Sequence, residues 1–205
     1  MTMSKVFFTV GVSLDGYLAG PNAGPENPLG DGGSRIHGWV YRTATFRQRL
    51  RYGGGGGETG PDDDRIRQTF ERTGASVLGR RMFDEGEVSW PEEAPFRCPV
   101  FVVTNRPREP WVRKGGTTFH FVTDGIESAL AQARAAAGDR DVRISGGANL
   151  IQQYLAAGLV DEFDIDLAPV LLGGGVRLFD GIPGAAGLRV EAAERVAHLS
   201  YRLAN

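Results

Sequence analysis

The chain has 205 residues, enough for one domain with room for an insertion, and its 41% hydrophobic and 23% charged residues exclude global disorder. A formal net charge of −2 excludes the whole-surface basic field of a nucleic-acid or anionic-membrane binder, while a local basic pocket stays open. The one cysteine, Cys98, has no partner for an intramolecular disulfide, and no leader peptide or bilayer-length apolar run is visible, so a cytoplasmic protein is expected.

In chain order, Lys5–Val12 is dense in β-branched and aromatic residues and predicts a buried strand. Ser13-Leu14-Asp15-Gly16 follows. A carboxylate there either meets a polar ligand or closes an Asx turn. The next stretch, about residues 21–61, breaks the rhythm. Pro21–Gly33 is rich in proline and glycine, and Gly53–Gly57 is an unbroken glycine run. It reads either as a tolerated surface loop or as a lid, a wall over a substrate pocket. Ile36–Tyr41, with Trp39, offers a ring-stacking surface, and Phe46–Leu50 belongs to a helix beginning near His37.

Regular elements resume at Asp62. Asp62, Asp63 and Asp64 fall in the first turn of a helix through Arg72, where the macrodipole favours acids; that explains them more simply than a Mg²⁺ site. Ala75–Leu78 is a short apolar strand, ended by Gly79-Arg80-Arg81. Cys98 reads as a buried structural thiol. Strand Val100–Val103 ends in Thr104-Asn105-Arg106-Pro107. Strand Thr117–Val122 leads to helix Ile126–Ala137, with Asp124 as the expected N-cap and Gly138 just past its end. Strand Val142–Ile144 then runs through Ser145-Gly146-Gly147-Ala148-Asn149 into helix Ala148–Ala157. Phe163, Ile165 and Leu167 alternate with Asp164 and Asp166, the period of a half-exposed strand. A last pair of strands is expected over Leu188–Val196 and His198–Leu203.

Three strand ends thus carry residues suited to phosphate. Glycines before a helix let a phosphate reach unpaired N–H groups, as at Ser145, Gly146, Gly147, Asn149 and Leu150. Arginine forks serve the same end at Arg80 and Arg81, and hydroxyl, amide and guanidinium do so at Thr104, Asn105 and Arg106. Each alone is as well explained by a turn. Their recurrence matters, because open α/β sheets bind ligands along their carboxyl edge. Other chemistries find no purchase. His37, His120 and His198 are far apart with no zinc motif, and neither a nucleophile elbow nor a Walker loop is present.

The ordered set SLDGYLAG, VLGRRMF, PVFVVTNRP and RISGGANLIQQYLAAGLVDEFDIDLAPVLLGGGVRLF resembles the dihydrofolate-reductase-like superfamily. More narrowly, it resembles the branch that includes the reductase domain of riboflavin biosynthesis, over about residues 5–203. The resemblance implies an α/β fold: a mostly parallel central sheet of about eight strands flanked by helices, with an antiparallel C-terminal edge hairpin. It implies NADPH as cofactor and a homodimer. Gly79, Arg80 and Arg81 would hold cofactor phosphates, and Thr104, Asn105 and Arg106 would flank the 2′-phosphate and adenosine. Ser145, Gly146, Gly147, Asn149 and Leu150 would cradle the pyrophosphate. Leu14 and Asp15 would face the nicotinamide or the substrate, with Asp15 the candidate catalytic residue and Trp39 a further substrate contact. The small-molecule substrate would be a pteridine- or ribosylaminopyrimidine-like heterocycle, taking hydride at a C=N or C=O. Two features depart from the pattern. No acid aligns with the one that protonates the pterin, and the fused zinc deaminase is missing. The alternative is a non-catalytic NADPH-binding sensor or interaction module on the same fold.

Overall fold

Short apolar strands that alternate with amphipathic helices must stack side by side, since only a sheet covered on both faces buries them fully. The structure, a computed structural model, describes residues 4–51 and 56–182. Its strands are β1 (Val6–Ser13), β2 (Tyr17–Ala19), β3 (Thr73–Gly79), β4 (Val100–Val103), β5 (Trp111–Val112), β6 (Thr118–Val122), β7 (Asp141–Gly146), β8 (Glu162–Ala168) and β9 (Val176–Arg177). Its helices are α1 (Ala44–Leu50), α2 (Pro61–Arg72), α3 (Arg80–Glu87), α4 (Ile126–Ala137) and α5 (Ala148–Ala156). Seven strands form one sheet in the order β5-β6-β4-β3-β7-β1-β8, and β2 pairs with β9 separately. The pairings are parallel except β5 with β6 and β2 with β9. A mostly parallel α/β sheet is what the resemblance implied, with seven strands here where about eight were expected. The strands expected over Leu188–Val196 and His198–Leu203 lie outside the described residues.

Two apolar clusters hold the sheet. Val6, Phe8 and Val12 of β1 and Val142 and Ile144 of β7 pack with Leu130 of α4 and Ile151 and Tyr154 of α5. The Tyr154 hydroxyl is satisfied there by the Ile126 carbonyl at 2.8 Å. A second cluster centres on Phe83 of α3, packed with Leu78, Val100, Val102 and Phe119. Cys98 is a free, buried thiol 3.7 Å from the Ser76 hydroxyl, and burial raises its pKa, as a structural role requires.

All of the described α-helices except α1 are glycine-led. Gly60 precedes α2, Pro61 takes the first helical position, and Asp62, Asp63 and Asp64 fill the first turn as expected. Asp63 is buried and accepts the Thr45 backbone N–H at 2.6 Å, fastening α1 to α2. Gly125, not Asp124, caps α4; Asp124 accepts the Ser128 hydroxyl at 3.0 Å instead.

The described part of the insertion is built, not loose. The helix expected from His37 is broken into two 3-10 turns, Gly33–His37 and Val40–Arg42, and Thr43 in extended conformation separates them from α1. Asp31 ties the preceding loop, accepting from Asn22 at 2.7 Å and Asn27 at 2.8 Å. At Gly11 an added Cβ would stand 2.8 Å from Ile36 and 3.3 Å from His37, so glycine is what lets the insertion lie directly on β1.

Candidate active site

Parallel pairing brings the carboxyl ends of β1, β3, β4, β7 and β8 to one edge of the sheet, and with them most of the residues singled out in the sequence. β3 and β7 are neighbours, so the N-termini of α3 and α5 open side by side. Gly79 and Gly147 cap them with no side-chain hydrogen bond, which leaves first-turn N–H groups available to an anion. A Cβ on Gly79 would sit 3.6 Å from Leu150 and 3.8 Å from the Gly146 oxygen; a Cβ on Gly147 would meet nothing within 4 Å. The Gly146–Gly147 peptide is cis.

A cavity of about 510 Å³ opens in front of these glycines. Ser145, Gly146, Gly147 and Arg81 line one part, and Trp39, Phe46 and Phe70 supply aromatic wall elsewhere. Residues of the insertion therefore line the pocket. A second cavity, of about 410 Å³, shares Ala23 and Arg81 with the first and is lined by Arg80, Asp84, Asn105 and Arg106. Asp84 gathers two of its guanidiniums, accepting from Arg80 at 2.6 Å and from Arg106 at 3.2 Å.

Not every expected residue reaches the pocket. Leu14 is exposed and donates its N–H to the Val170 carbonyl, and neither it nor Asp15 lines the cavity. The Asp15 carboxylate instead accepts the Ser13 hydroxyl at 2.6 Å, the Leu172 N–H at 3.1 Å and the Gly173 N–H at 2.7 Å. Partial desolvation works against the charged form, but these hydrogen bonds outweigh it and hold the pKa at about 2. An acid so placed fastens a turn and has no proton to give, so the catalytic role expected of Asp15 finds no support in its position. Thr104 is buried, and its hydroxyl accepts the Arg106 N–H at 3.1 Å, shaping the turn that presents Asn105 and Arg106. Asn149 is exposed and accepts from Gln153 at 2.8 Å, while Leu150 packs into the core behind Gly79.

Other lining residues were not singled out in the sequence. Thr9, His37, Glu85, Arg143 and Asp166 all face the cavity. Burial lowers the His37 pKa and raises those of Glu85 and Asp166. It also brings Arg143 down to about 10, still a cation at neutral pH. Asp166 accepts from Arg65 at 2.6 Å. The signal was present: Arg143 stands between Val142 and Ile144 in an interior strand of a covered sheet, where a charge needs a reason.

Comparison with known proteins settles the kinship. The RibD C-terminal domain family matches residues 4–198. The chain belongs to that family. A crystal structure of a candidate riboflavin biosynthesis protein from Shewanella sp. PV-4 shares this RibD C-terminal domain's fold at TM-score 0.55 and 26% identity, covering 85% of this chain and 82% of that one. The uncharacterized protein YwjB of Bacillus subtilis (strain 168) is 24% identical over 136 residues, 66% of this chain and 75% of its own length. The uncharacterized protein YyaP of the same organism is 39% identical over 59 residues, 29% of this chain and 31% of its own. Among the described residues of this RibD C-terminal domain, no helix is long and apolar enough to cross a membrane, and no cluster of three or more His, Cys, Asp or Glu residues is arranged to hold a metal ion.

Proposed function

We propose that the chain is an NADPH-dependent reductase that transfers hydride to a C=N or C=O of a small heterocycle. The observation that carries this reading is the junction of two unlike cavities at the carboxyl edge of the sheet. One is walled by aromatic rings; the other is edged by Arg80, Arg81 and Arg106. A dinucleotide needs both surfaces within reach of one another.

The residues fit the cofactor. The open space at Gly147 and the uncapped first turn of α5 would let a pyrophosphate approach backbone N–H groups, and the unpartnered Ser145 hydroxyl lies beside them. The guanidiniums of Arg80, Arg81 and Arg106 would take phosphate oxygens, with Asn105 alongside. Bound NADPH would supply the hydride, and the rest falls to the protein. Trp39, Phe46 and Phe70 orient a ring and exclude water. Glu85 and Asp166, both raised by burial, can hold or pass a proton at their carboxylate oxygens. The non-catalytic alternative rests on the want of an aligned acid and on the glycine-rich insertion; the two cavity carboxylates speak against the first of these.

The test is steady-state oxidation of NADPH against a panel of oxidised pteridines and pyrimidines. Turnover that needs both enzyme and heterocycle supports the reading. Tight NADPH binding with no turnover across the panel favours a sensor, and no binding overturns both.

A further inference from the structure

Four polar atoms on the wall of the larger cavity are buried without a hydrogen-bond partner: Thr9 Oγ1, Glu85 Oε1, Arg143 Nε and Ser145 Oγ. Buried polar groups are normally paired, and several left open around one space mark where a ligand completes them. Ser145 adjoins the glycine cradle and is accounted for by the cofactor reading. The other three are not.

Their placement is ordered by the sheet. Phe7 of β1 is in register with Arg143 of β7, so Thr9, two residues on from Phe7, shares the face from which Arg143 projects. Thr9 is only 8% exposed, and Arg143 donates through Nη2 to the Thr9 backbone carbonyl at 3.4 Å, which leaves its Nε unpartnered. These two side chains offer a guanidinium N–H and a hydroxyl, suited to an acceptor oxygen on the ligand. Glu85, one helical turn after Arg81 on α3, offers the opposite: a buried carboxylate oxygen that calls for an N–H.

The charges set a further limit. The cavity's charged lining residues are two guanidiniums, Arg81 and Arg143, and two carboxylates, Glu85 and Asp166. Arg81 also edges the second cavity and is drawn to the cofactor side. Asp166 is already held by Arg65, so a phosphate in the remaining space would find the Arg143 guanidinium offset by the Glu85 carboxylate, with no surplus of positive charge for a dianion.

We infer that Thr9, Glu85 and Arg143 select the substrate, and that this substrate is an uncharged ring carrying both an acceptor oxygen and an N–H donor, with no phosphate. The inference rests on the reductase reading for what occupies the pocket. Thr9 and Arg143 take the oxygen, Glu85 takes the N–H, and the aromatic wall holds the ring. The three are specificity-determining contacts, spread over β1, α3 and β7.

The probes are pterin, quinoxaline (a bicycle of the same size with neither C=O nor N–H), neopterin and neopterin monophosphate. Binding is read by quenching of the cavity tryptophans, Trp39 and Trp90. Pterin should bind at least about tenfold more tightly than quinoxaline, one unpaired buried polar group being sufficient for that ratio. The monophosphate should bind no more tightly than neopterin. Thr9→Val and Glu85→Gln keep shape and should each weaken pterin about tenfold while leaving quinoxaline unchanged. Thr9→Val should also raise the melting temperature, because it removes an unpaired hydroxyl; a merely structural hydroxyl would do the reverse. Arg143→Met should act like Thr9→Val, and if it fails to fold, the two isosteric variants decide the matter. Equal binding of pterin and quinoxaline, or clear tightening by the phosphate, overturns the inference. NADPH binding, followed separately by its own fluorescence, keeps the two ideas apart: its absence sinks the reductase reading whichever way the ring probes fall.

Discussion

Replacing Asp15 by alanine separates a fastening residue from a catalytic one. Its carboxylate holds three donors, the Ser13 hydroxyl at 2.6 Å and the Leu172 and Gly173 N–H groups at 3.1 and 2.7 Å. Hydrogen bonds to a charged group contribute about 1.5–3 kcal/mol each when buried. This carboxylate is partly exposed, so solvent screening reduces the sum to about 2 kcal/mol in all. For a chain of this length that corresponds to a fall of about 4–8 °C in Tm. The pH dependence has a definite sign. The folded pKa, about 2, lies below the ordinary 3.8, so the stabilisation is complete above 3.8 and is lost as pH falls through 2. The Tm gap between wild type and Asp15→Ala should therefore be full at neutral pH and close over that acidic window. Thermal unfolding by circular dichroism across pH, with NADPH turnover measured in parallel below the variant's Tm, makes the test. An unchanged Tm with turnover abolished would refute the reasoning and return Asp15 to catalysis.

Further variants probe the remaining parts of the site and core. Gly147→Val should weaken NADPH by at least about 100-fold, the loss of two charge-assisted hydrogen bonds, as read by calorimetry. Its melting curve should hardly move, because nothing lies within 4 Å of an added Cβ there and φ, at −75°, is outside the left-handed region. Trp39→Ala should weaken a ring substrate about tenfold and leave NADPH nearly unchanged, since the cofactor's phosphate residues lie on other elements; equal losses would retire the wall. Phe83→Ala should cost about 3–5 kcal/mol in denaturant unfolding. Phe83 is fully buried and meets Trp90, Trp111, Phe119 and Phe121 edge-on at 5.0–6.1 Å. A much smaller loss would mean that this cluster is not a core.

The strands were legible because a parallel sheet buries both faces, and short runs such as Val100–Val103 are apolar throughout. α2 was legible from local chemistry, three acids in its first turn. The insertion was not, because its shape depends on residues far away: Gly11 of β1 makes space for Ile36 and His37, and Asp63 of α2 holds Thr45. The partners of Asp15 were hidden for the same reason. Its motif reads as a ligand contact or a local turn, whereas two of its three partners lie about 157 residues downstream. Asp166 was taken for the wet side of an alternating strand; the sheet instead turns it toward the cavity and Arg65, and leaves Leu167 47% exposed. The strand–glycine–helix junctions were legible, since Gly79 and Gly147 lead α3 and α5 through local backbone alone.

The most direct measurement of the central claim is calorimetric titration of the protein with NADPH and with NADH. With Arg80, Arg81 and Arg106 around one cavity, a single charge-assisted hydrogen bond to the 2′-phosphate should make NADPH at least about tenfold tighter. Equal dissociation constants for the two cofactors, or no heat from either, would contradict it.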